Sequence, residues 1–180
     1  MFSKGQEEAP FQLLVAVILM TFVIIVGMNA MNEAGKQKCF NDTEKAMNDF
    51  KLAIEKTSTY KQPSNIKFNQ FGCAKDERFL LVRSDEARIC NRLCMNSSTS
   101  CLILKYSTTE VAEIGDKCIN VSYDTQFKYQ GDGASSCIQI DGFTGVQIDS
   151  VDGIPGGVYQ FLYVSSPGIN YPVVCSYIKS

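Results

Sequence analysis

FQLLVAVILMTFVIIVGM, residues 11–28, is an unbroken apolar run in which only Gln12 and Thr21 carry polar side-chain atoms. At 1.5 Å of rise per residue a helix of this length covers about 27 Å, close to the roughly 30 Å hydrocarbon core of a bilayer. No Asp, Glu, Lys or Arg interrupts it. The run is too long for a buried strand, because strands usually end near about ten residues. Only a helix satisfies its own backbone in lipid, so the run predicts a membrane-spanning helix rather than the core helix of a water-soluble fold.

The ten residues in front of it, MFSKGQEEAP, decide what the helix is for. A cleaved secretory signal has a basic start, a shorter apolar stretch and small residues at a cut site behind that stretch. Here there is one lysine, the run is longer, and the Gly27-Met28-Asn29-Ala30 junction places bulky or polar groups where small ones are needed. Glu7, Glu8 and Pro10 suit a helix start, since acids favour its positive end and proline its first turn.

Lys4-Gly5-Gln6, followed by a short polar tract and then the apolar helix, resembles the class III signal peptide of type IV pilin-like proteins, most closely the archaeal form. The resemblance covers about the first 30 residues. It implies that a prepilin peptidase cuts after Gly5, leaving Gln6 as the first mature residue and the apolar helix in place. Members of that family often carry Glu at the fifth mature position; here that position is Pro10, and the acids stand at Glu7 and Glu8.

About 150 residues follow the span, enough for one domain with its own core. The formal net charge is -2 and the basic residues are dispersed, which gives no electrostatic footprint for nucleic acid. Histidine is absent, which removes Ser-His-Asp and Cys-His catalysis together with the commonest metal ligand. The chain therefore reads as a non-enzyme without cofactor or metal.

Eight cysteines, Cys39, Cys73, Cys90, Cys94, Cys101, Cys118, Cys137 and Cys175, all lie beyond the apolar run. An even number on one side of a span is what a disulfide-bonded domain outside the cytosol shows. The best metal alternative, Cys90-x3-Cys94 with Cys101, lacks both a C-x2-C pair and any histidine. Connectivity stays open, because eight cysteines admit on the order of a hundred pairings. Three sequons, at Asn41, Asn96 and Asn120, would accept glycans on the outer side. Lysine bias points the other way, with Lys4 before the span and Lys36, Lys38 and Lys45 after it. The cysteines, the sequons and the leader together outweigh that bias and place the head outside.

Beyond the span Met47, Phe50 and Ile54 recur at helical spacing, with Lys45, Asp49, Lys51 and Glu55 on other faces. If this amphipathic helix continues the span, helix from Pro10 to Thr57 would run about 72 Å, with Gly27 and Gly35 as its weak points. Pro63 marks its exit. Short strands are then expected at 66–71, 79–82, 102–106, 118–123, 126–129, 137–140, 145–148, 158–164 and 173–178, with a short helix over Ser84 to Cys94 capped by Ser84 or Asp85. Asp141-Gly142 and Asp152-Gly153 read as tight turns. Tyr159, Phe161 and Tyr163 alternate on one strand face, more as core than as a ligand platform.

The expectation is an α+β chain: leader 1–5, transmembrane or filament-core helix 6–30, amphipathic extension 31–58, and a disulfide-tied β-rich head 59–180. The function expected is a filament subunit, major or minor, held in the membrane by its helix and packing there or in a filament against copies of itself or other pilin-like subunits. The alternative is a single-pass anchored binding domain that never polymerises.

Overall fold

The structure, a computed structural model, describes residues 8–95, 99–109, 114–130, 137–165 and 171–179. The chain divides into two compact units, Met1–Cys39 and Phe40–Ser180. Helix α1 spans Glu8–Tyr60, 53 residues, with no interruption at Gly27 or Gly35. It ends where Lys61 takes a left-handed φ of 56°, the usual conformation just past a helix C-terminus, and Pro63 then prevents continuation. The helix thus runs about one turn past the expected end at Thr57.

In the unit that begins at Phe40, the last part of α1 packs on two sheets. The first has the order β1 (Ser64–Phe68), β7 (Gly157–Val164), β8 (Val173–Lys179), β5 (Gln126–Lys128), with β6 (Thr144–Gly145) also pairing β8. Its pairs are antiparallel except β5 with β8, which is parallel. The second is an antiparallel meander of β2 (Arg78–Ser84), β3 (Cys101–Ser107) and β4 (Lys117–Ile119). Helix α2 (Ala87–Cys94) lies against β2 and β4. The middle strands β3 and β8 are buried on both faces over Cys101–Leu104 and Val173–Tyr177, which is why their sequences read as apolar runs, interrupted in β8 by the buried Ser176.

Phe50 is the hub of the core. Its ring centroid lies 4.9 Å from Phe68, 5.2 Å from Tyr159 and 5.4 Å from Phe161. Phe68 then meets Phe79 at 4.9 Å, and Phe79 meets Tyr106 at 5.3 Å, so one chain of rings runs from α1 through the first sheet into the second. Tilted and edge-on aromatic pairs of this kind each add about 0.5–1.5 kcal/mol beyond the area they bury. Met47 and Ile54, fully buried, complete the helix stripe.

Polar groups fasten the same helix. Thr57 and Ser64 share a hydroxyl–hydroxyl bond of 2.6 Å, and Ser64 donates to the Ala53 carbonyl at 2.8 Å. Glu55 accepts the Asn120 backbone N–H at 2.6 Å, and Lys117 pairs with Glu44. Buried hydroxyls left unbonded would oppose folding, whereas these fix the helix against β1 and the end of β4.

Disulfides close what hydrogen bonds leave open. Cys90–Cys101 and Cys94–Cys118 join α2 to β3 and β4, and Cys137–Cys175 ties the segment before β6 to β8. Cys39 and Cys73 are also disulfide-bonded, and no described cysteine is free. For loops of 11, 24 and 38 residues, the chain-entropy account gives about 3–4 kcal/mol per bridge.

Several local expectations are corrected. Residues 137–140 form no strand: Cys137 is bridged to β8, and the Ile138 carbonyl accepts the Tyr177 hydroxyl at 2.8 Å, so the segment is tethered by side chains rather than by a ladder. Helix α2 begins at Ala87, because Ser84 is drawn into β2 opposite Cys101; neither Ser84 nor Asp85 caps it, and Glu86 at that position makes no side-chain cap. The first strand is Ser64–Phe68 instead of 66–71, and the fourth is only Lys117–Ile119. The two Asp-Gly turns are present, with φ of 77° at Gly142 and 91° at Gly153. Gly145 answers a different need: a Cβ there would lie 2.5 Å from the Gln130 backbone nitrogen, so only glycine lets β6 reach β8 past that segment.

Candidate assembly surface

The described side chains of residues 11–38 are exposed without exception. Fourteen large apolar side chains between Phe11 and Met28 are open, among them Phe11 at 68%, Met20 at 70% and Val23 at 67%. Because they fall on every side of the helix, there is no polar face to turn toward water. Covering each would contribute about 1.5–3 kcal/mol, so the surface as a whole represents some 20–40 kcal/mol of unfavourable hydration. A surface of this kind suits lipid or other helices better than water. The one hydroxyl in its middle, Thr21, donates to the Val17 carbonyl at 2.8 Å and so asks nothing of the surroundings. Helix α1 is long and apolar enough to cross a membrane.

Gly5 and Gln6, the expected processing residues, lie outside the described residues, and so does Asn96. Asn41 is exposed on α1, and Asn120 is exposed just after β4.

Among the described residues no group of His, Cys, Asp and Glu is placed to hold a metal ion. Cys90, Cys94 and Cys101, the best metal candidates in the sequence, are in disulfides. The phenols of Tyr159 and Tyr177 are raised by burial, and that of Tyr123 by its hydrogen bond to Asp85. A phenol raised in this way stays protonated at neutral pH and supplies no base. Tyr159 and Phe161 are fully buried core, as their alternation indicates, while Tyr163 is half-buried with the Lys61 ammonium 5.3 Å from its ring centroid. The hollows on the second unit are shallow. One of about 520 Å³ lies between Asp49, Lys56 and the β1 residues Asn65 and Lys67, and one of about 370 Å³ runs beside Leu80, Val82 and Val151.

No protein-family model, curated protein or solved structure matches the chain.

Two charged residues prove more important than their sequence context indicates. Arg83 donates to the carbonyls of Tyr123 and Thr125, holding the β4–β5 connection against β2. Glu77 accepts from the backbone N–H groups of Gly72 at 2.6 Å and Cys73 at 3.1 Å and from the Tyr106 hydroxyl at 3.1 Å. Arg83 reaches partners some forty residues away, a distance over which no local sequence signal operates. Both serve to hold loops, so the candidate site on this molecule is the apolar helix surface.

Proposed function

We propose that this chain is a structural subunit of a cell-surface filament of the type IV pilus kind, stored in the membrane by the first part of α1 with its disulfide-tied head outside. The observation that carries the reading is the helix that is apolar on all sides and wholly exposed over residues 11–28. A helix of this character is at home in lipid and equally in a bundle of its own kind, because lipid tails and leucine side chains are alike in polarity. Leaving the bilayer therefore costs little once neighbouring copies replace the lipid. The head contributes an oxidised shell with fixed loops, suited to the outer side of a membrane, where disulfides persist.

The leader is the handle for a test. Gly5→Leu is expected to block cleavage by a prepilin peptidase, so that the chain keeps residues 1–5, stays in the membrane fraction and enters no filament. Intact-mass measurement checks this. Cleavage of the variant at the normal position would remove the processing argument, and a wild-type chain that keeps Met1 would make it an anchored external domain.

A further inference from the structure

An N-x-S/T sequon is an acceptor only where the asparagine amide and the hydroxyl two residues later are presented together, since both are part of what the transferase reads. The fold treats two sequons in opposite ways. Asn41-Asp42-Thr43 lies inside α1. Positions i and i+2 on a helix point to opposite sides, and here Asn41 is exposed while Thr43 is fully buried, its Oγ1 lying 3.2 Å from Cys73 Sγ. No approach to the folded unit meets both groups.

Asn120-Val121-Ser122 follows β4 in an irregular connection, and both Asn120 and Ser122 are exposed. The backbone there is held from behind: the Asn120 N–H goes to Glu55 at 2.6 Å, Val121 N–H to the Ile119 carbonyl at 3.0 Å, and Thr125 N–H to the Ser122 carbonyl at 2.9 Å. These bonds hold the connection in place, with Asn120 and Ser122 both exposed on the head.

We propose that Asn120 is a glycan acceptor of the folded head and that Asn41 is closed to modification once the head has folded. The substrate class is a lipid-linked oligosaccharide. In the transfer the Asn120 side-chain nitrogen attacks the anomeric carbon of the first sugar, forming an N–C bond. The bond from that carbon to the lipid phosphate oxygen breaks, the phosphate leaves with the electron pair, and the amide loses one proton to a carboxylate of the transferase. The inference goes beyond the filament reading and rests on it only for the head's exposure to a transferase in the cell.

The test therefore uses the purified, oxidised full-length chain in detergent with a single-subunit oligosaccharyltransferase and a lipid-linked oligosaccharide. Occupancy is read separately for each sequon by glycopeptide mass spectrometry, in the folded chain and in the reduced, denatured chain. The expected result is glycan at Asn120 in both forms and at Asn41 only after denaturation. Ser122→Ala is expected to abolish the Asn120 glycopeptide and Ser122→Thr to retain it, with the fold unchanged in both. An unmodified Asn120 in the folded chain, or folded-state occupancy at Asn41 equal to that at Asn120, overturns the proposal. Neither result bears on filament formation, which this assay does not require.

Discussion

Phe50→Ala is expected to lower the unfolding free energy of the oxidised protein by about 3–5 kcal/mol, the range found when a large buried aromatic is truncated and the cavity does not collapse. Phe50 is fully buried and touches Phe68, Tyr159 and Phe161, rings from two different strands that are themselves paired. Removing it empties the space where α1 meets the first sheet, and the neighbouring rings are held too firmly by their strands to fill it. Leu52→Ala provides the comparison two residues away: Leu52 is 57% exposed, and its loss is expected to change stability by no more than about 0.5 kcal/mol. Denaturant titration in detergent, with the disulfides intact, separates the two. Equal effects would mean that the helix is not docked through Phe50.

The second large effect belongs to the other unit. Leu19, in the middle of the apolar run and 59% exposed, touches no core. Leu19→Arg is therefore expected to leave the head's folding and disulfides unchanged while disfavouring membrane insertion by about 3–4 kcal/mol, the difference between leucine and arginine at the centre of a spanning helix. The fraction of chain resistant to alkaline extraction from membranes measures it, with Leu19→Ile as the neutral control. A variant that inserts as well as the wild type would show that residues 11–28 do not lie at the bilayer centre. The contrast between Phe50 and Leu19 states the division of labour in α1: one side chain is inside the molecule, the other is apolar without being inside anything.

That division is legible in the sequence because the two halves of α1 have different patterns. Met47, Phe50 and Ile54 stand at helical spacing among charges, and the structure buries all three; residues 11–28 have no polar side, and the structure buries none. Strand positions were legible where turn residues bound them, as at Gly157–Val164 and Val173–Lys179. What joins the strands was not. The parallel pairing of β5 with β8 and the bridges Cys90–Cys101, Cys94–Cys118 and Cys137–Cys175 depend on which distant segments meet, and local sequence carries no record of that. Residues 137–140 show the same limit: their apolar alternation resembles a strand, yet the partner is the Tyr177 hydroxyl and not a neighbouring backbone. Of the candidate site, the apolar surface could be read directly. The difference between Asn41 and Asn120 could be read only in part, since helix geometry separates Asn41 from Thr43 but the burial of Thr43 requires the folded head.

The central claim is that α1 exchanges lipid for copies of itself on the outside of a cell. Its most direct test is mass spectrometry of filaments sheared from cells that make the chain. The account predicts that the filaments contain this protein with Gln6 as its first residue and its cysteines oxidised. Finding the chain absent from every surface filament, with its cysteines reactive to thiol reagents from the cytoplasmic side, would contradict it.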